Sequence, residues 1–287
     1  MSLRIGLSSF VLASPFSDAD LAVASHVSGM GYEVLEVCVE DPTLLSAAAI
    51  NRAAADNNLG ISICGAFGPD RDVSHENADI RAKGKAYLKT CVDLAAAVNS
   101  PFVSGPMYSA TGKTRMLSPE KRKEQFGWAA ESLREIGDYA ASKNVGLAIE
   151  PLNRFETDLV NTVEQGIELC KAIGLKNVGL LLDTFHMNIE EKSLTDAITL
   201  AKDFLFHVQV SENDRGTPGS GQVHWDEFFD ALKAIGYSGF IVVESFLPDV
   251  AEIARAVSLW RPLAPSMDHL AREGRNFIAQ TMATHGV

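Results

Sequence analysis

The amino-acid sequence predicts an α/β fold, namely a single-domain (β/α)8 TIM barrel that spans residues 1–287. Short apolar segments rich in β-branched residues alternate with longer segments that are Ala-rich, charged and spaced like helices. Eight segments of the first kind occur, so one strand–helix unit averages about 36 residues, and no linker divides the chain. A doubly wound open sheet is the alternative, and the lack of a Gly-x-Gly-x-x-Gly motif after the first strand weakens it.

The predicted strands are apolar and continuous. Val178–Leu182, for example, reads Val-Gly-Leu-Leu-Leu, which is too continuous for a strand with one face in water. Such runs are typical of a parallel sheet that helices cover outside and side chains fill inside. In chain order the predicted strands are Leu3–Ser8, Glu33–Val37, Gly60–Cys64, Phe102–Ser104, Val145–Ile149, Val178–Leu182, Leu205–Val210 and Phe240–Val243.

Helical segments fill the intervals between these strands, and several carry end signals. Ser118 followed by Pro119 is typical of a helix start, with a capping serine and a proline in the first turn. Gly174 and Gly236 stand where helices are expected to end. The predicted helices lie near residues 18–30, 43–58, 76–98, 118–142, 161–173, 193–203 and 225–235, with one or two more after residue 249.

Composition and charge narrow the classes of partner. The 37 acidic and 25 basic residues give a net charge of −12, which argues against nucleic acid or an anionic membrane as the main partner. No apolar run reaches the roughly 18 residues of a membrane-spanning helix, and the N-terminal stretch does not resemble a signal peptide. Four scattered cysteines predict reduced, mostly buried thiols, so we expect a cytoplasmic protein. The acidic charge is compatible with a small neutral substrate.

Four polar residues stand at the ends of the last four predicted strands. They are Glu150, Asp183, Gln209 and Glu244, separated by 33, 26 and 35 residues. Each interval is about one strand–helix unit, so each side chain occupies the same height on successive strands. In a closed barrel we expect all four to converge on the C-terminal rim, where barrel enzymes carry their chemistry.

Three carboxylates that lie close together in a partly desolvated site cannot all stay ionised without a cation. The sequence therefore predicts one divalent metal ion held by Glu150, Asp183, Gln209 and Glu244. Oxygen ligands favour Mn²⁺ or Mg²⁺ over zinc, and Co²⁺ is a further option. The alternative is that each acid caps the helix that follows it or faces solvent.

Four segments in the second half of the chain resemble the signature segments of the ketose 3-epimerases. This group includes the D-tagatose and D-psicose 3-epimerases and belongs to the xylose isomerase-like TIM barrels. The resemblance extends more weakly over the first half of the chain. The four segments are Glu150–Glu156 (EPLNRFE), Leu182–Glu191 (LDTFHMNIEE), Ser211–Gly221 (SENDRGTPGSG) and Val243–Phe246 (VESF).

The resemblance implies roles for individual residues. Glu150 and Glu244 match the paired acid/base carboxylates of the family, and both belong to the four positions that match its metal ligands. Glu156, His186 and Arg215 match residues that hold the hydroxyls and the carbonyl of the substrate. Taken singly, Glu156 is also consistent with a surface acid, and Arg215 with a loop ion pair to Asp214 or Glu212.

One position departs from the family pattern. The epimerases usually have a His-x-His pair where this chain has His207-Val208-Gln209, and hydroxypyruvate isomerase resembles the His-x-Gln form. An amide oxygen is a harder ligand than an imidazole nitrogen, so it makes the site more selective for Mn²⁺ or Mg²⁺. His207 itself is predicted to contact a metal-binding carboxylate rather than the metal.

The resemblance implies an isomerase that epimerises a free ketose at C3 by proton transfer, through a metal-stabilised cis-enediolate. One glutamate removes the proton from one face of the carbon, and the other returns a proton to the opposite face. Because of Gln209, two alternatives remain. One is an aldose–ketose or keto-acid isomerase. The other is an isomerase or dehydratase that acts on a keto-inositol or a 3-keto sugar. A metal-dependent phosphodiesterase and a non-catalytic sugar-binding barrel are less favoured. Family members often form dimers or tetramers, so a homo-oligomer is expected.

Overall fold

Eight parallel strands close into a barrel in chain order. The computed structural model describes residues 3–287, without the side chain of Glu252. The first strand pairs with the last as well as with the second, so the sheet has no free edge and the predicted barrel is confirmed. The strands are β1 (Arg4–Ser8), β2 (Val34–Val39), β3 (Gly60–Gly65), β4 (Phe102–Gly105), β5 (Gly146–Ile149), β6 (Val178–Asp183), β7 (Leu205–Val210) and β8 (Phe240–Val243).

All eight predicted strands are present, and their ends differ from the prediction by at most two residues. Every residue of β2 and of β6 is buried, as expected for a sheet covered on both of its faces. The four cysteines are free and buried, which agrees with the predicted buried thiols.

Ten α-helices accompany the strands within residues 3–287, and they pack outside the barrel or cross its rim. None of the helices described in this range is long and apolar enough to cross a membrane. The helices are α1 (Ala24–Gly29), α2 (Ala47–Asn57), α3 (Ala78–Ala97), α4 (Pro119–Ala141), α5 (Val163–Ile173), α6 (Thr184–Glu190), α7 (Leu194–Leu200), α8 (Trp225–Ile235), α9 (Ala251–Ala256) and α10 (Met267–His285).

One helix, α6, lies where the sequence analysis predicted none. It begins directly after Asp183, whose Oδ1 accepts hydrogen bonds from the backbone N–H groups of Phe185 (2.6 Å) and His186 (3.4 Å). This arrangement is a helix N-cap, so one oxygen of Asp183 does cap the helix that follows. The helix has only seven residues, too few turns to give a helical period in the sequence. It keeps His186 beside Asp183 at the C-terminal rim.

The last helix is fastened to α8 by a histidine near the C-terminus. His285 Nδ1 lies 2.7 Å from Asp230 Oδ1, and Nε2 lies 3.0 Å from Asp226 Oδ1. Hydrogen bonds to these two carboxylates, with Asp230 first, raise the pKa of His285 above its usual value. The protonated ring is therefore bound more tightly in the folded chain than in the unfolded chain.

We expect His285→Gln to lower the melting temperature more at low pH than at high pH. Because the folded pKa is raised, the contribution of the charged ring is complete below the unfolded pKa of about 6.5. It is lost as the pH rises through the folded pKa. Circular-dichroism melts of both proteins, at about pH 5.5 and about pH 8.5, measure the difference. An equal change in melting temperature at both pH values would contradict the assignment.

Candidate active site

The strand-end residues converge at the C-terminal mouth of the barrel. Asp183 and Gln209 are register partners at the ends of β6 and β7. Glu244 directly follows β8, and its Oε1 lies 3.0 Å from Gln209 Nε2. Glu150 directly follows β5, and its backbone N–H donates to the carbonyl of Gly105 (3.1 Å). Each of the four residues exposes 7% of its surface or less, so all four are buried at this mouth.

Negative charge is crowded at this mouth. Burial raises the pKa of Glu150, and the charges of Asp183 and Glu156 raise it further. Burial also raises the pKa of Glu244, and the charges of Glu150 and Asp183 add to that effect. The pKa of Asp183 is raised to about 6 by burial, against the opposing charge of Arg215. The three carboxyls therefore disfavour one another's ionised forms, and a divalent cation among them would relieve that repulsion.

Gln209 adds an unpaired oxygen at the same place. Its Nε2 donates to Glu36 Oε1 (2.6 Å) and to Glu244 Oε1 (3.0 Å). Its Oε1 is buried and has no hydrogen-bond partner among residues 3–287. A buried carbonyl oxygen that is left unpaired costs free energy, so it is a natural ligand atom. Carboxylate and amide oxygens are the donors that Mg²⁺ and Mn²⁺ prefer, and the residues at the mouth fit the predicted cation.

His186 presents a hydrogen-bond donor to the site. Its Nδ1 accepts from the backbone N–H of Asn153 (2.9 Å), so a neutral ring carries its proton on Nε2. Burial lowers the pKa of His186 well below its usual value, and the charge of Arg215 lowers it further, which keeps the ring neutral. The Nε2 atom lies 3.4 Å from Glu150 Oε1. The sequence-predicted histidine thus faces one of the predicted acid/base groups.

Arg215 and Glu156 form a buried ion pair. Arg215 Nη2 lies 2.9 Å from Glu156 Oε1, and each side chain exposes only 5% of its surface. The guanidinium also lies over the ring of Phe185, 4.1 Å from its centre. Asp214 pairs with Arg261 instead (2.8 Å). The interpretations of Glu156 as a surface acid and of Arg215 as the loop partner of Asp214 are therefore wrong.

One cavity joins these groups. Helix α9 covers one side of it, and the backbone carbonyl of Val257, just after that helix, accepts from Arg215 Nη1 (2.8 Å). A few polar groups within an apolar wall are typical of a site for a small polar molecule. The polar lining residues include Thr111, Glu150, Glu156, His186, Arg215 and Glu244, and the apolar ones include Phe10, Phe67, Leu152, Phe246, Ile253 and Val257.

One carboxylate of the site was not among the residues predicted from the sequence. Glu36 lies inside β2, is completely buried, and accepts from Gln209 and from His207 Nε2 (2.7 Å). The contact of His207 with a metal-binding carboxylate stays a prediction: its partner is Glu36, which was not among the predicted ligands but lies with Cys64 and Glu244 in a group of side chains that could hold a metal ion. A signal was present, because an acid in the middle of Val-Leu-Glu-Val-Cys-Val must find a partner when the strand is buried.

Comparison with known proteins identifies the relatives of this chain. The profile of the xylose isomerase-like TIM barrel family matches residues 25–280. The D-psicose 3-epimerase of Agrobacterium fabrum is 32% identical over 260 residues, which are 88% of this chain and 89% of that protein. The 3-dehydro-D-guloside 4-epimerase of Escherichia coli is 33% identical over 82% of this chain and 91% of that protein. The crystal structure of the D-allulose 3-epimerase from Methylomonas sp. in complex with D-allulose has a TM-score of 0.90 and 30% identity, covering 98% of this chain and 97% of that one.

A closed barrel with this mouth and these relatives defines an enzyme of the isomerase class. The chain belongs to the xylose isomerase-like TIM barrel family, and the predicted resemblance to the ketose 3-epimerases within that family is confirmed.

Proposed function

We propose that this chain is a ketose 3-epimerase that exchanges the proton at C3 of a free ketose and so inverts that carbon. The observation that carries the proposal is the pair Glu150 and Glu244, two buried carboxyls that line one cavity from the ends of β5 and β8. A proton that leaves one face of a carbon and returns on the other needs an acid/base group on each side. The relatives named as D-psicose and D-allulose 3-epimerases support the same reaction.

The proposed cofactor is one divalent cation, Mn²⁺ or Mg²⁺ with Co²⁺ as a further option. Its ligands would be Glu150, Asp183, Gln209 and Glu244, and the three crowded carboxyls and the unpaired amide oxygen support this choice. When bound, such a cation stabilises negative charge on the substrate oxygens next to the reacting carbon.

Glu150 and Glu244 would exchange roles with the direction of the reaction. The ionised carboxylate removes the C3 proton, and the electron pair left behind spreads over C3, C2 and the ketone oxygen as an enediolate. The protonated carboxyl on the other side then delivers its proton to the opposite face of C3. Each carboxyl thus alternates between an ionised and a protonated form during the reaction, as an acid/base pair requires.

The other polar residues of the cavity would hold the ketose. The Nε2–H of His186 and the guanidinium of Arg215 are donors suited to the ketone oxygen and to neighbouring hydroxyls. Glu156 is an acceptor for a hydroxyl, and its ion pair with Arg215 fixes the direction of the guanidinium. The rings of Phe185 and Phe246 pack on the same guanidinium and limit its motion.

Incubation with a panel of free ketoses and Mn²⁺ in D₂O tests the reaction. We expect the C3 epimer of at least one ketose, with one solvent deuterium at the inverted carbon, because the proton passes through exchangeable carboxyls. Proton NMR of substrate and product measures both, and a sample without protein gives the background. Inversion without solvent deuterium, or no epimer from any ketose, would overturn the proposal.

A second candidate is an isomerase or epimerase that acts on a 3-keto sugar or a keto acid with the same residues. Gln209 favours it, because the His-x-Gln pattern resembles hydroxypyruvate isomerase. The similarity to a 3-dehydro-D-guloside 4-epimerase points the same way. Adding 3-keto glycosides, inososes and hydroxypyruvate to the panel distinguishes the two candidates by their products.

A further inference from the structure

We propose that Glu36 is a positioning residue, which holds the side-chain amide of Gln209 so that Oε1 is the atom offered to the cation. The inference rests on the proposed role of Gln209 as a metal ligand. Glu36 lies in β2, across the barrel mouth from Gln209 in β7, and both side chains are completely buried. Glu36 is not proposed as a ligand or as an acid/base group.

The carboxylate of Glu36 is held by three donors. Its Oε1 accepts from Gln209 Nε2 (2.6 Å). Its Oε2 accepts from His207 Nε2 (2.7 Å) and from the Ser62 hydroxyl (3.0 Å). His207 stands two residues before Gln209 on the same strand face, so one carboxylate ties together two neighbouring side chains of β7. A carboxylate with this many short bonds is fixed in position and can fix its partners in turn.

These contacts decide which end of the Gln209 amide faces the carboxylates. Nε2 stands between Glu36 Oε1 (2.6 Å) and Glu244 Oε1 (3.0 Å), and both atoms accept hydrogen bonds. The reversed amide would put Oε1 against the same two oxygens, which would lose both bonds and add repulsion. The observed orientation leaves Oε1 buried and without a partner among residues 3–287. An oxygen in that state is free to bind a cation.

Glu36 matters more than Glu244 for this orientation. Glu244 is itself a proposed ligand and acid/base group, so its oxygens would contact the cation or carry a proton during binding and reaction. Glu36 has neither role, so nothing in the proposed reaction breaks its bond to Gln209. The glutamine that departs from the family's usual histidine thus depends on a second carboxylate to act as an oxygen ligand.

Mn²⁺ titrations of chelator-treated protein, followed by calorimetry, test the proposal. We expect Glu36→Leu to weaken Mn²⁺ binding about 10- to 100-fold, the usual effect of removing a residue that orients a metal ligand. We expect a smaller loss for Glu36→Gln, because its carbonyl oxygen can still accept from Gln209. Asp72→Asn is the matched control: it also turns a buried, multiply bonded carboxylate into its amide, but its partners are Ser74 and Lys113. Its dissociation constant for Mn²⁺ should equal that of the wild type.

A double-mutant cycle separates positioning from a general structural role. If Glu36 acts through Gln209, changing Glu36 to Leu or Gln has no further effect on Mn²⁺ binding in a Gln209→Leu background. The proposal would be overturned if changing Glu36 weakened Mn²⁺ binding by the same factor in the wild-type and the Gln209→Leu backgrounds. It would also be overturned if both Glu36 variants bound Mn²⁺ with wild-type affinity. If Glu36→Leu does not fold, the Glu36→Gln arm of the cycle still decides.

The binding assay is independent of turnover. A wild-type protein that binds Mn²⁺ but makes no C3 epimer would overturn the proposed reaction and leave the assignment of Glu36 standing. If the wild type epimerises normally and the Glu36 variants keep its Mn²⁺ affinity, the assignment of Glu36 is overturned and the proposed reaction stands. A wild-type protein that binds no Mn²⁺ would overturn both.

Discussion

Glu150→Gln and Glu244→Gln are each expected to lower kcat for C3 epimerisation by about 10²- to 10⁴-fold, the contribution of a positioned acid/base group. Glutamine keeps the size of the side chain and an oxygen that can contact a cation, but it cannot remove or return a proton. The loss should therefore fall on kcat, with the far-ultraviolet circular-dichroism spectrum unchanged. Glu135→Gln is a suitable control, because Glu135 forms a surface ion pair with Lys85 on the outer helices.

The same two variants should give opposite patterns of hydrogen exchange. Each retains one carboxylate, so each can still remove the C3 proton from the epimer that presents it to that side. In D₂O we expect one variant to label only the first epimer and the other variant only the second, with conversion between the epimers slowed by the factor given above. NMR of each pure epimer measures this. Near-normal turnover in either variant, or labelling of both epimers by one variant, would refute the assignment of the pair.

Removal of divalent cations is expected to abolish turnover, and Mn²⁺ is expected to restore it. The physical reason is the crowding of Glu150, Asp183 and Glu244, since burial raises the pKa of all three and the charges of neighbouring acids raise it further. A cation among them removes the repulsion and also stabilises charge on the substrate, an effect worth several kcal/mol. Assays after dialysis against a chelator, with and without Mn²⁺, Mg²⁺ or Co²⁺, measure the change.

Cation binding should also raise the free energy of unfolding. A ligand that binds only the folded chain adds about 2.7 kcal/mol at 100 times its dissociation constant, so Mn²⁺ should raise the melting temperature. Asp183→Ala is expected to reduce that rise, because it removes one proposed ligand. Full activity in the presence of chelator, or a melting temperature that Mn²⁺ does not change, would contradict a metal at this place.

The strand order and the rim residues followed from local patterns. A buried parallel strand is a continuous apolar run, so β6 was recognisable from Val-Gly-Leu-Leu-Leu alone. A polar residue at the end of such a run lies at the C-terminal rim of a barrel, which is why Asp183 and Glu244 could be placed without coordinates. Their roles as metal ligands were predicted from the crowding of carboxylates, the acid/base role of Glu244 came from resemblance, and both remain predictions.

Contacts between distant segments could not be predicted. Nothing near Glu36 in the sequence indicates that its partners are His207 and Gln209, which lie more than 170 residues away. The pairing of Arg215 with Glu156 rather than with Asp214 likewise depends on how two rim loops approach each other. Seven-residue α6 was also missed, because its start is fixed by one aspartate side chain rather than by a periodic pattern.

The sequence by itself determined the eight strands, their order and the polar residues that end the last four, because period and spacing are local properties of the chain. Only the tertiary structure decided how those side chains use their atoms: that the amide oxygen of Gln209 is left unpaired, which nitrogen of His186 carries the proton, and which acid pairs with Arg215. These choices depend on hydrogen bonds formed when strands and loops far apart in the chain close around one buried mouth.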